Sequence, residues 1–174
     1  MPRLRGAACG VGRVRNARAA ALLTRMNPQA DLSRLGFGVA VGHATDETGG
    51  TGCTVVRGVS GGLRASAHLF GRATGTREVA LLDPGASNDQ VDAILLTGGS
   101  AYGLDAAAGV MQWMEERGRG FPIGGGVMPI VPVAVVFDLA PLGRFDARPT
   151  PQMAYQACDR ATTAEIAEGS VGAG

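Results

Sequence analysis

The sequence predicts an α/β fold, and three observations carry that prediction. First, VDAILL (Val91 to Leu96) and VPVAVVFDL (Val131 to Leu139) are short, nearly continuous apolar runs. Runs of this kind form strands that are covered on both faces. Second, Leu104, Ala107, Ala108, Met111 and Met114 recur at helical spacing between those runs, predicting a helix from about Ala101 to Arg117. Third, Thr150 followed by Pro151 is an N-cap and first-turn pair that opens a second helix, running to about Thr163.

The remaining elements follow in chain order. Residues 1–34 are expected to be an Arg-rich disordered tail or an over-extended start, and the organised part runs over residues 35–174. GFGVAVGH (Gly36 to His43) and CTVVRG (Cys53 to Gly58) read as paired strands joined by the turn-rich ATDETGGTG. LRASAHLF (Leu63 to Phe70) alternates in polarity and predicts a half-exposed strand. GRATGTREVALLDPGASNDQ reads as a loop with a helical turn at its centre. The glycine triplet in FPIGGGVMPIVP predicts a tight turn with close strand approach, in preference to a phosphate cradle, because no Lys or Ser/Thr follows it.

Composition narrows the chemistry. All sixteen basic residues are arginine, so no lysine of this chain can act as a base or form a Schiff base. Residues 1–25 carry a charge of +6 and the remainder −5, a distribution a transit peptide or nucleic-acid arm would share. The start lacks the apolar core of a secretory signal, and no apolar run reaches the roughly 18–20 residues of a membrane span. Cys9, Cys53 and Cys158 are far apart and lack Cys-x-x-Cys spacing, which fits a cytoplasmic protein and points to no metal site. No cofactor, nucleic-acid partner or membrane is expected.

The richest stretch is LTGGSAYGLDAAAGVMQWMEERG, a strand, a glycine turn and a helix in succession. Backbone N–H groups at such a helix start can hold anions, carbonyls or a developing oxyanion, and glycines let a substrate come close. Ser100 has three readings here. The nucleophile elbow Gly-x-Ser-x-Gly fails because Tyr102 stands where the second glycine should be. A helix cap, its hydroxyl taking an orphan N–H, competes with a place in the wall of a site. His43 and Asp46 in HATD suggest a local hydrogen bond between neighbours, in preference to a metal pair. His68 is expected to be solvated, and with so few histidines a self-contained Ser/His/Asp triad is not expected.

Taken together, GVAVGHATDETGGTGCTVV, GTRE followed by LLDP, VDAILLTGGSAYGLDAAAGVMQWMEERGRGFPIGGGVMPIVPVAVVFDL and AEGSVGAG resemble one family. It is the self-processing aminopeptidases of the L-aminopeptidase/D-Ala-esterase (DmpA-like) type, related to β-peptidyl aminopeptidases and nylon-oligomer hydrolase. The resemblance runs from about Leu35 to Gly174 and implies the N-terminal, α-chain part of a precursor with an αββα sandwich. It also implies hydrolysis of N-terminal amino acids from peptides, amides or esters by a Ser or Thr exposed through self-cleavage. The α-amino group of that residue would serve as its base.

On this resemblance the nucleophile lies downstream of AEGSVGAG, so the catalytic residue is not in this chain. Gly98, Gly99, Ser100, Tyr102 and Phe137 are the expected substrate-binding residues. Phe137 stands where relatives carry a tyrosine, which removes a possible oxyanion hydroxyl. His68, Phe70 and Arg72 replace an acid, an arginine and a glycine before GTRE. The implied partners are a small peptide, amide or ester substrate, a β-chain-like segment and further copies in a homo-oligomer. The alternative function is a non-catalytic α-type fragment that acts only by assembling with such a β-like segment.

Overall fold

Thr51 to Gly58 supplies the strand around which the rest is organised. A computed structural model describes residues 31–36 and 38–174 of the chain. Within it, β1 (Val39–Asp46) and β2 (Thr51–Gly58) form an antiparallel hairpin, and β2 pairs antiparallel on its other side with β4 (Ala93–Thr97). β7 (Val133–Val135) runs parallel to β4, and the two-residue β3 (Thr76–Arg77) closes the order β1-β2-β4-β7-β3. A separate hairpin joins β5 (Phe121–Ile123) to β6 (Gly126–Met128). Two helices, α1 (Ala107–Glu115) and α2 (Pro151–Asp159), lie together on one face of the main sheet. This is the α/β class that the apolar strands and helical spacing predict.

Strand alternation decides which residues meet the helices. Gly42, Val55, Leu95 and Val133 stand side by side across four strands, as do His43, Thr54, Leu96 and Ala134 one residue further along each. The first row faces α1 and α2: Val55, Leu95, Val110, Met114 and Cys158 are wholly buried there. Gly42 is glycine because a Cβ would overlap the Ala157 carbonyl of α2. At the end of this layer Trp113 donates its indole N–H to Asp159 (3.1 Å), with Arg57 and Arg117 stacked on its ring. The second row faces away from the helices and is only half covered, by residues 167–174.

Several expected boundaries differ, each for a local reason. The helix predicted from Ala101 opens as a 3₁₀ turn, Ser100–Ala106, before α1 begins. In that turn Gly103 sits so close to the Gly98 carbonyl that no side chain would fit. The second helix starts at Pro151, with the Thr150 hydroxyl accepting from the Met153 N–H (3.3 Å), but ends at Asp159. Beyond it the chain straightens, and Thr162 bridges the free edge of β1 at Val41.

The Leu63 to Phe70 strand does not form. Leu63 pairs with Val91, and the largely exposed Arg64–Phe70 run finds no neighbouring strand among the described residues. The Val131 to Leu139 strand is reduced to Val133–Val135, flanked by Pro132, which has no N–H to donate. The glycine triplet does form a tight turn, Gly124–Gly125, but a Cβ on Gly124, Gly125 or Gly126 would meet open space, so no close approach requires it. Gly125 is needed for its φ of +102°.

Of the expected tail, residues 1–30 lie outside the described residues, while Leu32–Leu35 form a 3₁₀ turn whose Leu32 and Ser33 N–H groups donate to Thr163. The ordered part thus begins before residue 35. No helix among the described residues is long and apolar enough to cross a membrane.

Candidate functional site

Two glycine-rich segments that are far apart in sequence meet at one residue of β2. Gly98, just past β4, donates its N–H to the Gly52 carbonyl (2.8 Å). On the other side, a Cβ on Gly52 would overlap the Gly172 carbonyl, so the GSVGAG segment lies directly over the strand. Gly52 is the seam between GGSAYG and GSVGAG. Hydroxyls hold the second segment in place: Thr45 accepts from the Gly172 N–H (2.8 Å) and Thr54 from the Ala173 N–H (3.2 Å). These threonines lie on the half-covered side of the sheet, where alternation brings polar residues out.

Asp138 holds the first segment. Its Oδ1 accepts from the Gly99 N–H (2.7 Å) and its Oδ2 from the Thr51 hydroxyl (2.6 Å). Gly98 leaves room for that carboxylate, because a Cβ there would overlap Asp138 Oδ2. The chain leaves β7 at Val135, Val136 accepts from the Ser100 N–H (3.0 Å), and Asp138 then folds back onto the glycine turn. Thr51, Thr45, Ser170, Gly172, Phe137 and Asp138 line a cavity of ≈ 560 Å³. A second, of ≈ 360 Å³, lies beneath residues 167–174 against His43, Thr54 and Leu96.

The expected site residues are therefore distributed unevenly. Phe137 lines the larger cavity, and Gly98 and Gly99 are tied to its wall through Asp138. Ser100 and Tyr102 stand on the far side of the glycine turn, outside that lining. Ser100 does not cap the helix. Gly99 occupies the cap position without any side-chain bond, and Ser100 is the first residue of the 3₁₀ turn. Gly99 and Ser100 both adopt left-handed φ values, +78° and +52°. For a serine that conformation is strained, and strain of this kind concentrates at functional turns.

His43 and Asp46 do not bond each other. His43 Nδ1 lies 3.0 Å from the Thr54 hydroxyl, while Asp46 accepts from the Gly49 N–H (2.9 Å). His43 Nε2 is enclosed without a hydrogen-bond partner among the described residues. Burial lowers the His43 pKa, with the Ala167 backbone opposing that shift. His68 stacks on Phe70 at the exposed surface (centroids 5.8 Å apart). Burial pushes the thiols of Cys53 and Cys158 up to about 12, so neither is a thiolate near neutral pH. Thr51 and Asp138, which shape the site most directly, escape sequence reasoning; an aspartate ending an apolar strand was their only visible trace.

The site is thus an α/β sheet carrying a hydrogen-bonded glycine turn, with a second glycine segment beside an open cavity. Residues 37–174 match peptidase family S58, and the chain belongs to that family. An "uncharacterized aminopeptidase" of Mycobacterium tuberculosis (strain H37Rv) is 56% identical over 104 residues, covering 60% of this chain and 30% of that protein. A 6-aminohexanoate-oligomer endohydrolase of Kocuria sp. is 33% identical over 142 residues, 79% of this chain and 36% of that protein. Among solved structures, a Burkholderia sp. β-aminopeptidase superposes with a TM-score of 0.58 at 20% identity, over 84% of this chain and 43% of that one. The fold is shared with that enzyme. The chain spans about a third of the length of these curated relatives.

Proposed function

We propose that this chain forms the substrate-binding half of a self-processing hydrolase that removes N-terminal amino acids from peptides, amides or esters. The observation that carries the reading is the meeting of GGSAYG and GSVGAG at Gly52, beside a cavity lined by Asp138 and Phe137. In that arrangement Thr51 and Asp138 form one wall, with the Gly98–Gly99 turn tied behind it through Asp138, Phe137 contributes an apolar surface, and GSVGAG leads the chain to the cavity's edge. The nucleophile is an N-terminal Ser or Thr supplied by a segment following GSVGAG. Its amine takes the hydroxyl proton as the oxygen attacks the carbonyl carbon, passes that proton to the amine or alcohol that leaves as the scissile bond breaks, and water then hydrolyses the acyl ester to the acid and the free hydroxyl.

The test is expression of the full-length protein that carries this chain. The reading expects two fragments on a denaturing gel, with a new N-terminal Ser or Thr by mass spectrometry. Dye release from aminoacyl p-nitroanilides should require the cleaved form and should not occur with residues 1–174 alone. Turnover by residues 1–174 alone would overturn the reading and return Ser100 as the nucleophile. A second reading, a fragment acting only by assembly with a β-like segment, draws support from the exposed Leu96 and Val136 on the half-covered face. It requires that the full-length protein assemble and yet release no dye.

A further inference from the structure

The GSVGAG segment rests on an imidazole. His43 Nδ1 lies 3.0 Å from the Thr54 hydroxyl oxygen, and that oxygen also accepts from the Ala173 N–H (3.2 Å). Gly172 packs on both side chains at a left-handed φ of +62°, so closely that a Cβ would overlap Thr54 Oγ1 and His43 Nδ1. Thr45 fixes the Gly172 N–H from the side (2.8 Å). Ser170, Gly172 and Ala173 in turn line the ≈ 560 Å³ cavity, so whatever seats them shapes the candidate site.

The hydrogens on this bed can be counted. The Thr54 hydroxyl has one to give, and its oxygen already accepts from Ala173. Both contacts are satisfied by the neutral ring with its proton on Nε2: the hydroxyl donates to Nδ1 and turns a lone pair to Ala173. In an imidazolium both ring nitrogens donate, so Nδ1 and the Ala173 N–H converge on one oxygen and the hydroxyl hydrogen loses its acceptor. The charge would also reach Nε2, which is enclosed without a partner among the described residues. Around the ring β2, β4 and β7 present Thr54, Leu96 and Ala134, none of them ionisable, and the segment above presents Glu168. No charged group contributes to the lowering of the His43 pKa, which burial causes.

We propose that His43 is a positioning residue: uncharged, it aligns the Thr54 hydroxyl and seats Gly172–Ala173 on the sheet, and protonation of its ring unseats them. The coupling is reciprocal, since a seated segment that disfavours the imidazolium is itself disfavoured by it. The inference rests on the hydrolase reading only where it extends to turnover. There, acidification should raise KM more than it lowers kcat, because the segment lines the cavity and does not supply the nucleophile.

Amide hydrogen exchange in the full-length protein that carries this chain, corrected for the intrinsic pH dependence of exchange, tests this without requiring turnover. Protection at Gly172 and Ala173 should fall between about pH 8 and about pH 5, the range in which a histidine titrates, while β2 and β4 stay protected. His43→Asn, which keeps an acceptor near the Nδ1 position and does not titrate, should flatten that fall. Thr54→Val should lower protection about threefold to tenfold at the higher pH, as for one lost neutral hydrogen bond, and Thr54→Ser should retain it. The imidazole nitrogen resonances of the unsubstituted protein give a measurement that needs no variant: the proton should sit on Nε2 and not on Nδ1. Protection that stays level on acidification, a fall that persists in His43→Asn, or a neutral ring protonated on Nδ1 would each overturn the inference. With aminoacyl p-nitroanilides, the rise in KM on acidification should disappear in His43→Asn. A protein that shows the exchange behaviour yet releases no dye would sink the hydrolase reading and leave the role of His43 standing. Turnover with a segment indifferent to pH would sink the role of His43 alone.

Discussion

The two faces of the main sheet were built by the same strands and serve different ends. On one, Val55, Leu95 and Val133 are sealed against α1 and α2 by Val110, Met114 and Cys158. On the other, one residue along each strand, stand His43, Thr54, Leu96 and Ala134, roofed only by residues 167–174. The first face is apolar and closed. The second carries hydroxyls, an imidazole, a 40% exposed leucine and two cavities. Burial on one side of a strand thus allows a looser, polar surface on the other, and the glycine turn at the end of β4 is tied to the candidate site's wall through Asp138.

Leu95 and Leu96 make the sharpest experimental contrast, and the larger effect is at Leu95. Leu95→Ala removes a side chain with no exposure from a core that cannot readily collapse, because strands bound it on either side. The expected loss is about 2–5 kcal/mol in urea-induced unfolding. A loss below about 1 kcal/mol would mean that the helical face is not the closed one.

Asp138 joins the two regions, and its removal is expected to cost less. Asp138→Ala leaves the Gly99 N–H and the Thr51 hydroxyl without their acceptor, a penalty of about 1–3 kcal/mol. Asp138→Asn, which keeps an acceptor for Gly99, should recover part of it. If the alanine variant unfolds like the parent protein, the carboxylate does not hold the glycine turn.

How much of this was legible beforehand depends on the range of the interaction. Thr150 and Pro151 announce α2 because a cap is satisfied within three residues, and the bond to Met153 is the one expected. VDAILL announces β4 because a short apolar run marks a strand, but the cover expected on both faces forms on one only: Ala93, Leu95 and Thr97 are buried while Leu96 is exposed. The alternation of Leu63 to Phe70 carried no information about a neighbouring strand, and without one the segment does not pair. Asp138 reaches Gly99 across 39 residues and Thr51 across 87, so no local pattern could join them. The serine in GGSAYG drew the cap to itself by propensity, yet Gly99 took the position because the chain turns left-handed there. The family was legible because several ordered motifs together carry more than any one of them.

The open face should also report pH. His43 is kept from water on that face, so its pKa in the folded protein lies below the ordinary 6.5 of the unfolded chain. Below that value the unfolded chain holds more proton than the folded one, so stability rises with pH through this range. The contribution is fully present above pH 6.5 and is lost as pH falls through the lower folded value. Denaturant midpoints between pH 8 and 5 should therefore decline on acidification, less steeply in His43→Gln. A His43→Gln profile as steep as that of the parent would assign the decline to other groups.

The smallest effect is expected at Leu96, and it completes the contrast. Its side chain points away from the helices into the smaller cavity and is partly wet already. Leu96→Ala therefore forgoes only part of a leucine's transfer energy and opens no sealed void, so the loss should be about 1 kcal/mol or less. Apolar surface left exposed on a sheet face favours association. The same substitution should then reduce self-association of residues 1–174 on size-exclusion chromatography while hardly moving the unfolding midpoint. A Leu96→Ala loss equal to that of Leu95→Ala would show that this face is sealed too. The distinction between a closed face for stability and an open one for function would then fall.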